Sequence, residues 1–384
     1  MTTLDTLRAA RAPLASFAAM GVLWGAYAGM VPATKAQLGV DDSTWGLLFL
    51  CSSSAAVFAM LFAPRIGAAL GGRVLPVVTF AMGLAFVLPG HMTQVIWFIP
   101  CMMLLGMSSG SLDVLMNARV SAIETERGLH LMNLSHAAYS FAYAAGAGAT
   151  GIARGYGLGP AAVLSGVACV AMLMAVLTIE RDGRIPGLGR RREDRAGTLG
   201  MLPVVGGFVI LIAFLSENAA EAWSALHIER TLGGSPGFGS YGPALLGLTM
   251  GVGRMFGQVL VARLSEAVLL RWGTLVAAVG AVVAALAPTP LVAYGGFVIL
   301  GGGVSVIAPV ALALIGRLVD PRLRTQAIAR ASMLGYLGYF FGPPALGGIS
   351  SLFGLRIAFG VVALVLLGLL PLVPVMLRGR VARA

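Results

Sequence analysis

Apolar residues gather into twelve runs, each close to the ~20 residues a helix needs to cross the hydrocarbon core of a bilayer. They predict membrane spans near 14–34, 45–63, 74–91, 95–117, 131–153, 159–179, 201–222, 241–262, 271–288, 291–315, 326–349 and 355–376. The polar gaps between them are short, with one exception. Residues 181–200 read RDGRIPGLGRRREDRAGTLG and lie near the midpoint of the chain. A charged, Gly-containing stretch there reads as a linker between a first half, 1–180, and a second half, 201–384, of six helices each. The expected fold class is an all-α membrane protein.

Charge then sets the orientation. Of 26 Lys and Arg residues, 21 fall in every second gap, counting the N-terminus as the first. These are Arg8 and Arg11; Arg65 and Arg73; Arg119 and Arg127; the arginines from Arg181 to Arg195; Arg263 and Arg271; those from Arg317 to Arg330; and Arg378, Arg380 and Arg383. Basic residues in short loops are held on the cytoplasmic side, so both termini are expected there. Lys35, Arg154, Arg230 and Arg356 fall in the outer gaps, and Arg254 falls inside a span. The chain is 58% hydrophobic and 11% charged, with a mean hydropathy of +0.91, whereas a soluble protein carries about a quarter charged residues. The net charge of +11 lies in short loops rather than on one polar face, so it signals topology and not nucleic acid. Cys51, Cys101 and Cys169 all lie in apolar runs, and no disulfide framework is implied. Phe17 to Val31 lacks a convincing cleavage site, so the first run is expected to remain as a span.

Few ionisable residues interrupt the runs. Asp113 lies about 6 residues, or about 9 Å, from the predicted cytoplasmic end of span four. Inserting an Asp near a helix centre costs about 2.5–3.5 kcal/mol, so it needs a partner, water or a proton. It is a candidate proton-coupling site, or else a structural pair or packing contact. His136 enters span five at similar depth and is its expected partner. Asn133, His136, Tyr139, Ser140 and Tyr143 share one face of that helix. That face suits a water-filled cavity or interhelical packing. Glu217 and Glu221 stand at i, i+4 near the outer end of span seven, where like charges repel unless one is protonated or paired. Glu217, the deeper, is a third proton-coupling candidate, or could contact a cationic group of a substrate, or is an ordinary interfacial residue; Asn218 beside it is a cavity candidate, and Glu221 is expected at the interface. Arg254 sits among small residues, Gly251-Val-Gly253-Arg254-Met-Phe-Gly257. It could hold an anionic group of a substrate, pair with an acid of the first half, or snorkel to the cytoplasmic interface; snorkelling or structural pairing is the expectation. Trp24, Tyr27, Asn117, Tyr336 and Tyr339 complete the candidate cavity wall.

The halves resemble each other at an offset of 197 residues. Gly151-Ile152-Ala153-Arg154-Gly155-Tyr156-Gly157-Leu158 recurs as Gly348-Ile349-Ser350-Ser351-Leu352-Phe353-Gly354-Leu355, and Gly83 falls opposite Gly280. Two parallel repeats of six helices resemble the plan of the major facilitator superfamily. Trp24 to Leu50, with its Pro-Ala-x-Lys-Ala-x-Leu-Gly run, resembles the first-loop signature of a bacterial branch of that family. Asp113-Val-Leu-Met-Asn117-Ala-Arg119, Glu217 to Trp223 and Gly335-Tyr-Leu-Gly-Tyr-Phe-Phe-Gly-Pro-Pro344 resemble its fourth, seventh and eleventh helices. The resemblance implies that every third helix is peripheral, and spans three, six, nine and twelve carry no ionisable residue at mid-span. The family's loop motif between helices two and three is degenerate: residues 64–73 read PRIGAALGGR, keeping Gly71 and Arg73 but with Ala68 where Asp is usual. Arg73, Arg119 and Arg330 are candidates for what remains of a cytoplasmic latch. The fifth-helix Gly-Pro motif of drug–proton antiporters is absent, since residues 146–151 read GAGATG.

A nucleotide-binding Gly-x-x-x-x-Gly-Lys-Ser/Thr loop is not present in the sequence, and the dispersed His and Cys residues give no metal spacing. No cofactor is expected, and transport would draw on a gradient. The sequence reads as a secondary transporter of the bacterial inner membrane, moving a small organic solute by alternating access with a proton as coupling ion, and acting as a monomer in the lipid bilayer. The rivals are an efflux carrier for hydrophobic compounds and, in a different class, an intramembrane enzyme using Asp113 and His136 as an acid–base pair. Duplicated halves suit alternating access better than catalysis.

Overall fold

Each predicted span falls on a helix of the computed structural model, which describes residues 3–186, 188, 199–320 and 322–378. The first half comprises α1 (Thr3–Leu38), α2 (Asp42–Leu70), α3 (Val74–His91), α4 (Val95–Arg127), α5 (Met132–Gly155) and α6 (Pro160–Leu177). The second comprises α7 (Leu202–Leu226), α8 (Tyr241–Arg263), α9 (Glu266–Leu286), α10 (Pro290–Leu318), α11 (Arg324–Leu367) and α12 (Leu372–Arg378). Spans eleven and twelve share α11, which bends at Gly354 into two limbs; the second limb and α12 form span twelve.

Local chemistry fixes the helix ends. Asp41 caps α2, accepting from the Thr44 N–H at 2.8 Å and from the Ser43 hydroxyl at 2.9 Å. These bonds, Thr44 first, hold its carboxyl below the ordinary value because they favour the charged form. Gly128 ends α4 in the left-handed region, and the Glu124 carboxylate turns back to accept from the Met132 N–H at the start of α5. Pro160 and Pro290 open α6 and α10, where a missing N–H costs nothing.

Eight helical stretches among the described residues are long and apolar enough to cross a membrane, and two of them, 42–91 and 326–377, each hold two spans. α5 and α8 fall outside this set; in α5, Asn133, Ser135, His136, Ser140 and Thr150 lower the hydropathy. α5 packs between α1 and α8. Small residues allow that approach. A Cβ added at Gly25 of α1 would stand 2.0 Å from the Tyr143 carbonyl oxygen, and one at Gly106 of α4 would stand 1.9 Å from that of Ser52 on α2. Backbones this close exclude every other residue.

The principal packing partners of α3, α6 and α9 lie within their own half. Their outward faces carry exposed Phe80 and Leu84, Leu173 and Val176, and Trp272, Val279 and Leu286, as helices against lipid should. The halves meet instead where α2 touches α11, α5 touches α8, and α1 touches α7 and α8.

The internal repeat has a structural counterpart. Gly157 and Gly354, separated by the same offset, hold φ of 82° and 83° at the turns after spans five and eleven. A side chain at either would be strained. Gly83 and Gly280 are less alike: Gly83 lies against α6 and Gly280 against α10. Of the predicted linker, residues 187 and 189–198 lie outside the described residues, as do 379–384 of the basic tail. Its beginning is docked on the first half, with Ile185 buried and Leu188 against Gly67 of α2.

Candidate functional site

Two polar pairs lie in the middle of the bundle, and both reach across the boundary between the halves. On α4, Asp113 accepts from Asn117 Nδ2 at 3.1 Å and from the Tyr336 hydroxyl of α11, also at 3.1 Å. On α8, Arg254 donates to Glu217 of α7 at 3.0 Å and, through its other nitrogen, to Ser140 of α5. Glu217 is 4% exposed. A buried pair of this kind is held by mutual attraction in a medium of low dielectric, since either charge left alone there would be costly. Tyrosine rings surround it. Tyr139 and Tyr143 stand 6.1 Å apart, Tyr336 and Tyr339 6.3 Å, and Phe214 lies 4.7 Å from Tyr339. The fields of Glu217, Glu221 and Arg254 reach both Tyr139 and Tyr339, so α5, α7, α8 and α11 contribute to one polar centre.

This arrangement corrects several expectations. Asp113 bonds Tyr336 and Asn117 rather than His136. The His136 ring instead meets Phe17 of α1 edge-on at 5.1 Å, because α5 turns that part of its polar face toward α1. Arg254 does not snorkel, and its acid partner belongs to the second half, not the first. Glu221 lies inside the polar centre, where Glu217 and Arg254 act on it, and not at the interface. Tyr27 is no wall residue. It is buried among Trp45, Phe49 and Phe86, with its hydroxyl on the Met102 sulfur at 3.1 Å. Trp24 beside it donates to Ser109 at 3.2 Å. Asn133 is half-buried near the start of α5, and Asn218 is half-buried on α7.

Of the latch candidates, Arg119 makes its contacts inside the first half. It grips the Glu180 carboxylate through two nitrogens at 3.0 Å each and donates to the Asp182 carbonyl at 3.1 Å. It thus ties α4 to the end of α6 and the start of the linker. Arg73 and Arg330 are exposed. Among the described residues, no ion pair joins the halves at the end predicted to be cytoplasmic.

The opposite end, outer in the charge alternation, is closed by ion pairs that sequence reading missed. Asp42 at the start of α2 takes both Arg230 nitrogens at 2.6 Å each, Lys35 at 3.1 Å, and the Ser350 hydroxyl of α11. Arg154 at the end of α5 binds Glu229 at 2.6 and 2.8 Å and the Gly29 carbonyl at 2.9 Å. Glu229 also accepts from the Gly237 and Gly239 N–H groups. Both clamps join first half to second. Above the first lies a vestibule of about 540 Å³ lined by Lys35, Asp42, Arg230, Phe353 and Arg356. The fourth outer base, Arg356, donates to the Ala287 carbonyl at 2.7 Å, capping the end of α9. The signal available in the sequence was that two of the bases breaking the arginine alternation stand near acids in their own outer gaps, Lys35 near Asp41 and Asp42, and Arg230 beside Glu229.

A duplicated helical bundle with its few ionisable groups bonded across the midline defines a polytopic membrane transporter. The chain belongs to the Major Facilitator Superfamily. That family's profile matches residues 206–383. An uncharacterised MFS-type transporter of Yersinia pestis is 30% identical over 362 residues, 92% of this chain and 91% of that protein. The membrane protein MosC of Rhizobium meliloti is 25% identical over 345 residues, covering 87% and 82%. Among solved structures, the nucleoside transporter NupG superposes with a TM-score of 0.72 at 12% identity, covering 97% of this chain and 99% of that one. An inward-facing, occupied bacterial homologue of the human lysosomal transporter Spinster gives 0.69 at 15%, covering 95% and 96%. At such identities these likenesses speak for the fold alone.

Proposed function

We propose that the protein is a proton-coupled secondary transporter that moves a small organic solute across the bacterial cytoplasmic membrane by alternating access. The segments 1–180 and 201–384 rock about the central site, joined by 181–200, with both termini cytoplasmic and one chain sufficing. The observation that carries this reading is that Asp113 on α4 is bonded to Tyr336 on α11, across the boundary along which the halves must part.

The coupling follows from hydrogen-bond strength. A hydroxyl bonded to a carboxylate is held more tightly than one bonded to a neutral acid. Ionised Asp113 therefore favours contact between α4 and α11, and a proton on it favours their separation. Proton binding and rocking are then linked through one bond. Arg254 with Glu217 and Ser140 forms a second such bridge. The clamps Asp42–Arg230 and Arg154–Glu229 hold the outer end shut, as a state closed to the outside requires.

The test begins with a ligand screen by thermal stabilisation, since a ligand that binds only the folded state raises its stability. The ligand found is then followed into proteoliposomes carrying an internal pH dye. Solute entry is expected to move protons in the wild type and to do so no longer in Asp113→Asn. Proton movement left intact in Asp113→Asn, Glu217→Gln and His136→Ala would sink the coupling assignment. A chemical product without net solute movement would favour the intramembrane enzyme.

A further inference from the structure

Glu217 is bonded to a cation, but Glu221, one helical turn nearer the outer end, is not. Among the described residues it makes no hydrogen bond or ion pair, although its neighbours Ala219, Ala220, Ala222 and Trp223 are buried and it is itself only partly open. Further buried polar groups on α5 and α7 are also unmatched, among them two that bear acceptor oxygens. Asn218 Oδ1, on the same helix, is buried with no hydrogen-bond partner. So is the Tyr143 hydroxyl, on a residue 2% exposed. Tyr143 reaches toward the second half, its ring lying on α8 where a Cβ at Gly247 would come within 2.7 Å of it. The charged groups whose fields reach its hydroxyl are Glu221 and Glu217.

Unmatched buried polar groups are costly, and these have a shared sign. Glu221 and Asn218 Oδ1 are acceptors, and the tyrosine oxygen can accept as well. What they lack is a donor carrying positive charge. Arg254 does not supply it, being engaged by Glu217 and Ser140. Tyr139, Tyr143 and Tyr339 add aromatic faces, which attract cations.

Resting on the transporter reading above, we propose that Glu221, Asn218 and Tyr143 form the subsite that receives the cationic amine of the transported solute. The Glu217–Arg254 pair stays intact beside it. Glu221 supplies the charge, Asn218 and Tyr143 accept N–H bonds, and the tyrosine rings flank the nitrogen.

The test is equilibrium binding to the full-length purified protein, with phenethylamine, tyramine and 3-phenylpropylamine as cationic probes. Phenethyl alcohol serves as the neutral isostere of the first and phenylacetate as the anion. Each amine-bearing probe that binds is expected to bind at least about tenfold more tightly than the alcohol, a difference of about 1.4 kcal/mol. Glu221→Gln is expected to erase that preference, and the exposed Glu126→Gln to leave it unchanged. Amines binding no better than phenethyl alcohol to the wild type would overturn the proposal, whatever the folding of the variants. So would a preference that survives in a folded Glu221→Gln, or a Glu221 that exchanges a proton but binds none of the three amines. Because the readout is binding, failure here leaves alternating access standing; that reading is judged separately, by whether the outer end opens.

Discussion

Arg254 and Glu217 show how a membrane core enforces pairing one residue at a time. Removing one partner of a buried pair leaves an uncompensated charge, which costs about 3–5 kcal/mol. Glu217→Gln is therefore expected to lower stability by roughly that amount, measured by denaturant unfolding in detergent. The double change Glu217→Leu with Arg254→Met is expected to recover most of the loss, since two apolar groups need no partner. If the single change proves as stable as the wild type, the pair is not a buried one. Much of this site was legible in the sequence, because an ionisable residue inside an apolar run is conspicuous wherever it occurs. Asp113, Glu217 and Arg254 were all singled out that way. Their partners were not, because partner choice depends on helix rotation. His136 shares the depth of Asp113 but faces Phe17, and Tyr336 lies 223 residues away. Tyr27 looked like a wall residue and proved to be packing in an aromatic cluster.

At the scale of elements, close helix approach is governed by glycine. Gly25→Ala would drive a Cβ into the Tyr143 carbonyl between α1 and α5, and is expected to cost about 1–3 kcal/mol as overpacking. Gly148, on the same α5, has open space around it. There Gly→Ala is expected to be neutral or to stabilise by up to about 1 kcal/mol, the helix-propensity difference. Comparing thermal unfolding of the two variants checks the assignment; equal losses would mean that the α1–α5 contact is looser than described. The apolar runs made the helices themselves legible. Their ends were less so, because helices continue past the membrane where polar residues no longer disfavour them. α4, for instance, runs on to Arg127, beyond the predicted limit of its span.

For the whole molecule, the outer clamps are the structure's statement about state. If they hold the outer end shut, neutralising them shifts the population toward outer opening. With Cys51, Cys101 and Cys169 replaced, spin labels at Ala36→Cys and Ser351→Cys report across the boundary from exposed positions on each half. The distance between them is expected to lengthen or broaden in Asp42→Asn combined with Arg154→Ala. An unchanged distribution would show that helix packing alone closes this end. Added salt is expected to have a smaller effect than the substitutions, because the Arg154–Glu229 pair is only 6% and 13% exposed and buried pairs are weakly screened.

Taken by itself, the sequence determined the transmembrane helices, their order, the duplication and the family, because hydropathy over ~20 residues and loop charge are local properties that water and lipid read directly. It also marked the ionisable residues buried in the spans, since each such burial is conspicuous on the same local scale. Only the tertiary structure decided which of them meet. The Asp113–Tyr336 bond, the Arg254 bridge, the Asp42 and Arg154 clamps and the unmatched Glu221 all depend on how helices from separate halves are rotated and packed. That rotation is set by many small contacts at once, such as Gly25 on Tyr143 and Gly247 beneath its ring, and no single stretch of sequence records it.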